Sequence, residues 1–414
     1  MPGNILRRYK SAFVLTFSLF ALWGMGHRLY DTLVPEFAKA FDLDSSELVL
    51  TQSAYSLIYF LFAIPAALYT RSFGSKSGIV FGLGCWCVGA FLFYPAAQQH
   101  AFPFFLFAAA VMSCGYIFLE ISANPVIARI GSPDTAVRRL NFAHALYPIG
   151  VLAGLYVGRW VILSDLELPR GPLANAVVRP YMVIGGIVLL LAFIADHVHF
   201  PSLATGRTSR RGAMQEFRVL LARPLFLAAL GAQVCNVAAM AGTWTLSAWY
   251  IKDAMPAAST VAAADFLLWS LIIFGIGRFA GAVLMYWIDP GRLLAVFAGS
   301  GLVLAAIATG TGGQVGVYAM VASSFSMSIM FATILGSAIR DLGPLTKAGT
   351  ALVYMCGAGS AIGVALMHLV WTVSSIQVAM LVPTLGYAGV LAYALANRRA
   401  VLARHAAAAV HAAE

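Results

Sequence analysis

The chain has 414 residues, of which 61% are hydrophobic and only 10% charged, with a formal net charge of +10. A soluble globular protein carries roughly a quarter charged residues, so this composition excludes a soluble enzyme or binding domain and indicates an integral membrane protein. The basic residues are spread over many short segments, which excludes a nucleic-acid footprint and fits contact with anionic lipid headgroups.

A helix needs about 20 apolar residues to cross a bilayer. Runs of that kind predict twelve spans, at 11–36, 49–70, 77–98, 102–128, 141–163, 179–199, 223–250, 263–287, 292–311, 314–338, 347–371 and 375–397. Arg7, Arg8 and Lys10 precede the first run as they would in a signal peptide. No small-residue cleavage pattern stands before Arg28, however, and eleven more spans follow, so a retained helix is expected. The longest internal polar stretch, 201–222, holds Arg207, Arg210 and Arg211 and divides the spans six and six. The expected fold is therefore all-α and membrane-integral. Residues 1–200 make an N-terminal six-helix bundle, 201–222 a cytoplasmic linker, 223–397 a C-terminal six-helix bundle and 398–414 a cytoplasmic tail.

With both termini inside, nineteen of the 26 Lys and Arg fall in cytoplasmic loops and tails. That bias follows the positive-inside rule and places the chain in a bacterial inner membrane as a multi-pass protein. Twelve helices in two halves joined by a basic linker resemble the layout of major facilitator transporters, whose halves rock about a central site. The turns Tyr69-Thr70-Arg71-Ser72-Phe73-Gly74-Ser75-Lys76-Ser77-Gly78 and Tyr286-Trp287-Ile288-Asp289-Pro290-Gly291-Arg292 echo one another after spans two and eight. That superfamily's usual acidic residue is missing from the first turn and kept as Asp289 in the second. Gly82, Gly84, Gly89, Gly275, Gly277 and Gly281 allow close helix approach. Gly357, Gly359 and Gly363 add the option of bending.

The spans hold no phosphate loop, no Ser/His/Asp set, no His-x-x-x-His string and no metal-ligand spacing among the five cysteines. No enzyme, metal site or resident cofactor is expected; the energy source is the proton gradient.

Polar residues inside the spans point to transport. Glu120 stands in a stretch, 101–130, that is otherwise uncharged until Arg129. An acid at mid-bilayer costs roughly 2.5–3.5 kcal/mol and marks a functional site by default. Asn124, four residues on, shares its face, and Pro125 loosens the helix there. Arg28 and His144 are its candidate partners. His27, Arg28 and Asp31 share a face of the first span at helical spacings. An Arg28–Asp31 pair would keep the acid ionised, and withdrawal of Arg28 would let Asp31 accept a proton. Asp31, Glu120 and Arg28 are accordingly the proton-coupling candidates. Gln52, Tyr55 and Tyr59 on the second span, Asn141, His144 and Tyr147 on the fifth, and Gln233, Asn236, Thr243 and Trp244 on the seventh mix amides, phenols and an indole. Such a mixture suits a pyranose, which stacks one face on a ring and offers hydroxyls at its edge. The substrate-binding candidates are Glu120, Asn124, Gln52, Tyr55, His144, Tyr147, Gln233, Asn236 and Trp244.

Particular strings carry a closer resemblance. Ala21-Leu22-Trp23-Gly24 followed by Asp31-Thr32-Leu33-Val34-Pro35, Gln52-Ser53-Ala54-Tyr55 and Ser77-Gly78-Ile79 resemble the fucose–galactose–glucose proton symporters. So do Phe118-Leu119-Glu120-Ile121-Ser122-Ala123-Asn124-Pro125, Arg139-Leu140-Asn141-Phe142-Ala143, Ala232-Gln233-Val234-Cys235 and Gly277-Arg278-Phe279-Ala280-Gly281. The resemblance implies that Asp31 is the proton-coupling aspartate and Glu120 the cavity glutamate. It departs at His144 and Tyr147, where that family usually has Gln and Asn. It departs again at His27-Arg28-Leu29-Tyr30, which replaces an Asn-rich run. These changes remake the polar lining, and Arg28 admits an acidic sugar. The expected partners are a small sugar, H+ and the lipid bilayer, with no nucleic acid, for a monomer importing a mono- or small oligosaccharide. The alternatives are proton-coupled transport of a sugar acid or another polar solute, and proton/drug antiport.

Overall fold

A computed structural model describes residues 9–40, 45–99, 101–164, 170–201 and 210–413. Every regular element among them is helical. The reason is solvent: a bilayer interior offers no partner to backbone N–H and C=O groups, and a helix satisfies them within itself. The elements are α1 (Lys10–Ala40), α2 (Ser45–Gln98), α3 (Phe102–Arg129), α4 (Ala136–Ala145), α5 (Tyr147–Ser164), α6 (Arg170–His197), α7 (Arg210–Leu221) and α8 (Pro224–Ala254). They continue with α9 (Thr260–Leu284), α10 (Pro290–Thr311), α11 (Gly313–Met327), α12 (Met330–Ile339), α13 (Thr346–Met355), α14 (Gly359–Val373), α15 (Ile376–Ala379) and α16 (Leu381–Ala413).

Among the described residues, eleven segments are long and apolar enough to cross a membrane. One of them, Leu57–Gln98, has 42 residues. A straight helix of that length would reach about 63 Å at 1.5 Å per residue, twice the roughly 30 Å of hydrocarbon. It is broken at Gly74, whose φ of 90° and ψ of 165° lie outside helical space and in a region open essentially to glycine alone. This segment therefore holds two crossings, and the described helices supply the twelve expected spans.

Three spans differ from simple runs. The fifth is interrupted at Leu146 between α4 and α5, the tenth at Ser328 and Ile329 between α11 and α12, and the eleventh by a 3-10 turn, Cys356–Ala358, between α13 and α14. The chain forms two compact units. The first comprises Met1–Ala136, Leu146–Phe217 and Asp341–Met355; the second comprises Val137–Ala145, Arg218–Arg340 and Cys356–Glu414. The interruptions in spans five and eleven fall at the unit borders, so in each of these spans one part belongs to one unit and the rest to the other.

In the first unit α2 packs on α3 and α1 on α5 through small residues. A methyl at Gly82 would stand 2.8 Å from the Gly115 carbonyl oxygen, and one at Gly150 would stand 1.7 Å from that of Ala21. Contact at this range needs hydrogen at Cα, because apolar lipid gives helices no hydrophobic reason to associate and close backbone packing must supply it. Trp86 and Tyr116 fill the space beside these crossings with ring centroids 4.6 Å apart. The second unit centres on Leu246, Tyr250, Met320 and Met367, with the Tyr250 hydroxyl donating to the Ala308 carbonyl at 2.6 Å. Gly363 lies against the Ala238 backbone, so here close packing is observed. Gly84 and Gly357 face open space and are not contact positions.

The linker is less uniformly polar than its composition indicates. Its second part is the helix α7, which buries Phe217 and Leu220. On the same helix Glu216 pairs with Arg71. Arg71 thus receives from the linker a carboxylate that its own turn lacks.

Gly150→Leu should destabilise the protein by about 1–3 kcal/mol or more through overpacking, whereas Gly84→Leu should leave it unchanged. Thermal unfolding of the two variants in detergent checks the contrast.

Candidate functional site

In the first unit the polar residues form a connected hydrogen-bond network. Glu120 sits on α3 with 5% of its surface exposed. The Tyr59 hydroxyl on α2 donates to its Oε1 at 3.0 Å, while Oε2 has no hydrogen-bond partner among the described residues. Asn124 is fully buried one turn further on. Its amide nitrogen donates to the Glu120 carbonyl at 2.9 Å and to the Tyr354 hydroxyl at 2.8 Å. Tyr354 comes from α13, the part of span eleven that belongs to this unit. Pro125 does not end the helix, which runs on to Arg129.

The network continues from Tyr59 to the first span. The Tyr59 hydroxyl lies 3.2 Å from His27 Nε2. Trp23, one turn earlier on α1, donates its indole N–H to that same nitrogen at 2.8 Å. His27 Nδ1 lies 3.1 Å from the Tyr147 hydroxyl, and the His27 and Tyr116 rings meet edge to face at 4.5 Å. Tyr59 thus joins Glu120 to His27 and, through His27, to Tyr147, while Asn124 ties the Glu120 carbonyl to the Tyr354 hydroxyl. Neither partner foreseen for Glu120 is its partner here. Among the described residues its carboxylate forms no ion pair; the neighbouring α2 gives it the Tyr59 phenol instead. Arg28 is half-buried on α1, packed against Gly154 of α5. Asp31, Gln52 and Tyr55 lie on α1 and α2, and their side chains are outside the described residues.

The second unit holds a separate polar set. Gln233, Asn236 and Thr243 line one face of α8 at helical spacing and are 0–2% exposed. Among the described residues, neither amide nor the Thr243 hydroxyl has a hydrogen-bond partner. Buried amides left open in this way cost about 1–3 kcal/mol per group unless a ligand or water meets them. Trp244 donates to the Ser324 hydroxyl at 3.2 Å and packs edge to face on Phe274 at 5.1 Å. Asn141 exchanges bonds with Thr333 at 3.1 and 3.4 Å. His144 is buried beside Phe331, ring centroids 5.8 Å apart.

Arg278 organises this unit. Its guanidinium is 5% exposed and lies over the Phe274 ring at 4.6 Å. Nε donates to the Ser328 carbonyl at 2.8 Å and Nη1 to the His144 carbonyl at 3.3 Å. Both acceptors stand at helix interruptions. Pro148 has no N–H, so the carbonyl four residues before it, that of His144, loses its helical donor. Arg278 supplies the replacement. The sequence carried the signal for this in Pro148, four places after His144. Ser324 and Thr333 had no such signal, since Ser and Thr in apolar spans commonly bond their own helix backbone, and Tyr354 had none because its partner stands on another helix. No group of three or more His, Cys, Asp or Glu able to hold a metal occurs among the described residues.

Residues 12–367 match the Major Facilitator Superfamily. The chain is 32% identical to the L-fucose-proton symporter of Escherichia coli (strain K12) over 408 residues, covering 94% of this chain and 93% of that one. It is 28% identical to a glucose/galactose transporter of Brucella abortus biovar 1 (strain 9-941) over 397 residues, 94% of each. A crystal structure of the Escherichia coli fucose:proton symporter superposes with a TM-score of 0.88 at 30% identity, covering 94% of this chain and 99% of the other.

Arg278→Met should leave two buried carbonyls short of a donor, costing about 1–3 kcal/mol for each. In a Pro148→Ala background the His144 carbonyl regains a backbone donor, and the cost of Arg278→Met should fall by about half. Thermal unfolding of the four proteins of this cycle in detergent measures both.

Proposed function

The chain belongs to the Major Facilitator Superfamily, and from that premise we propose that it is a proton-coupled sugar symporter, importing a mono- or small oligosaccharide with H+ by alternating access. The observation that carries this reading is Glu120: a carboxylate buried in a membrane span, bonded by Tyr59 and flanked by Asn124, with no ion pair among the described residues.

Physical chemistry gives such a group a role in coupling. An ionised carboxylate away from water at mid-bilayer costs roughly 2.5–3.5 kcal/mol, so closing a site around it is opposed. A proton removes the charge, and sugar hydroxyls supply the hydrogen bonds that departing water takes away. A site loaded with both moves across; a site loaded with one moves slowly. Asp31 and Arg28 on the first span form the second part of the coupling device. The sugar is held by Glu120, Asn124, Gln52, Tyr55 and Tyr147, together with His144, Gln233, Asn236 and Trp244. The open amides of Gln233 and Asn236 each offer a donor and an acceptor, as a sugar hydroxyl requires. The protein performs no covalent chemistry and uses no resident cofactor. It works as a monomer in a bacterial inner membrane, with both termini cytoplasmic and the halves 1–200 and 223–397 moving about the linker 201–222.

Proteoliposomes with an acidic exterior should accumulate labelled L-fucose, D-galactose or D-glucose, and a protonophore should collapse the accumulation. Uptake restricted to a uronate or an amino sugar would overturn the neutral-sugar reading. Asp31→Asn should abolish gradient-driven accumulation while sugar counterflow, which needs no net proton movement, stays measurable. Normal accumulation by Asp31→Asn would move the coupling role to Glu120.

A further inference from the structure

One helix of the second half packs in the first unit, and most of one helix of the first half packs in the second. By sequence α13 lies within 223–397, yet it belongs to the first compact unit; Val137–Ala145 of α4 is the reverse case. Both helices have ten residues, and both follow a 3-10 turn, Gly343–Leu345 for α13 and Pro133–Thr135 for α4. Each makes a polar bond at its last residue but one, Tyr354 with Asn124 and the His144 carbonyl with Arg278. Halves that move against one another, as alternating access requires, must undo both exchanges.

The other end of α13 is held by two cations. Lys347, its second residue, is 5% exposed, and its ammonium donates to the Thr70 carbonyl of α2. Thr70 lies in the last turn before the break at Gly74, where a helix carries partial negative charge and a cation is favoured. Arg129, the last residue of α3, donates from Nη2 to the Gly343 carbonyl and, at 3.3 Å, to the Thr346 hydroxyl. That hydroxyl in turn donates to the Gly343 carbonyl at 2.7 Å. A cation of α13 thus holds the end of a first-half crossing, and a cation at the end of another holds the turn that starts α13. Among the described residues neither cation pairs with a carboxylate. Carbonyl acceptors suit a contact that is broken repeatedly: parting a cation from a neutral carbonyl leaves one charge to hydrate, whereas parting an ion pair leaves two.

We propose that Lys347 and Arg129 form a latch that holds α13 on α2 and α3, and that transport opens this latch in every cycle. The inference rests on the alternating-access reading above and adds to it the piece that is released. Lys347 and Tyr354 stand about two helical turns apart and share the face that meets the first unit. The latch acts at one end of α13 and Tyr354 at the other, where Asn124 bonds the Glu120 carbonyl. Release of α13 therefore also takes the Tyr354 hydroxyl from Asn124, which links the latch to the carboxylate site.

Amide hydrogen exchange of the full chain in lipid nanodiscs, followed by mass spectrometry, reads the latch without any sugar. Lys347→Met keeps an apolar stem and removes the donor. Residues 343–355 should then exchange roughly tenfold faster, the scale of one hydrogen bond from a charged group, while α9 and α14 stay within about threefold of wild type. Lys347→Arg keeps a donor and should restore most of the protection. Release is read by bridging Arg129→Cys to Thr346→Cys with a short bis-methanethiosulfonate. The bridged protein should lose counterflow of the sugar that the wild-type protein takes up and regain it on reduction. The two single-cysteine variants, treated alike, control for the five native thiols. Unchanged protection in Lys347→Met overturns the latch, as does faster exchange spread evenly over all helices. Undiminished counterflow in the bridged protein overturns its opening during transport. If Lys347→Met does not reach the membrane, Arg129→Met decides by the same exchange comparison. If the wild-type protein transports no sugar, the symport reading falls, and the exchange measurements still decide the latch.

Discussion

The bilayer interior supplies no hydrogen-bond partners, and this governs both the fold and the polar network of this protein. Any backbone group released from a helix, and any polar side chain placed in a span, must find a partner from the protein or a ligand. The helix interruptions obey that rule. The fifth span breaks before Pro148, and Arg278 reaches over to take the carbonyl that proline leaves without a donor. Its other nitrogen takes the Ser328 carbonyl at the break in the tenth span. One buried cation thereby secures two interruptions, and its charge rests on an aromatic face and two backbone dipoles.

The same constraint divides the polar side chains into two kinds. Asn124, Asn141, Trp244 and Tyr59 are satisfied within the protein. Gln233, Asn236, Thr243 and Glu120 Oε2 are not, among the described residues. Structural polar groups in apolar surroundings are nearly always paired, and the open ones have donors and acceptors left for the hydroxylated ligand proposed above. The satisfied ones hold these in position.

Tight packing serves function in a related way. The contacts Gly24–Tyr147 and Gly150–Ala21 bring α1 and α5 so close that His27 and Tyr147 share a hydrogen bond. A larger residue at either glycine would separate them. The linker helix has a comparable part, carrying Glu216 to Arg71 in a turn that has no acid of its own. Both show a polar partner delivered by an element remote in sequence.

The sequence by itself determined the apolar spans and the bias of basic residues, and it marked Glu120 and Asn124 as polar groups inside a span. Each of these depends on properties read along one helix: the length of an apolar run, the side of a loop, the cost of a lone carboxylate. Only the tertiary structure decided the partners. It gave Glu120 the phenol of Tyr59 where Arg28 or His144 stood as candidates, and gave Asn124 the hydroxyl of Tyr354, since hydrogen bonds between helices depend on packing that no single-helix periodicity contains. It also showed that spans five and eleven are each split between two compact units. Glycines looked alike in the sequence, yet Gly82 meets a backbone while Gly84 meets nothing. Which face of a helix meets a neighbour is settled by all twelve spans together, because the bilayer leaves an apolar face free to point either way.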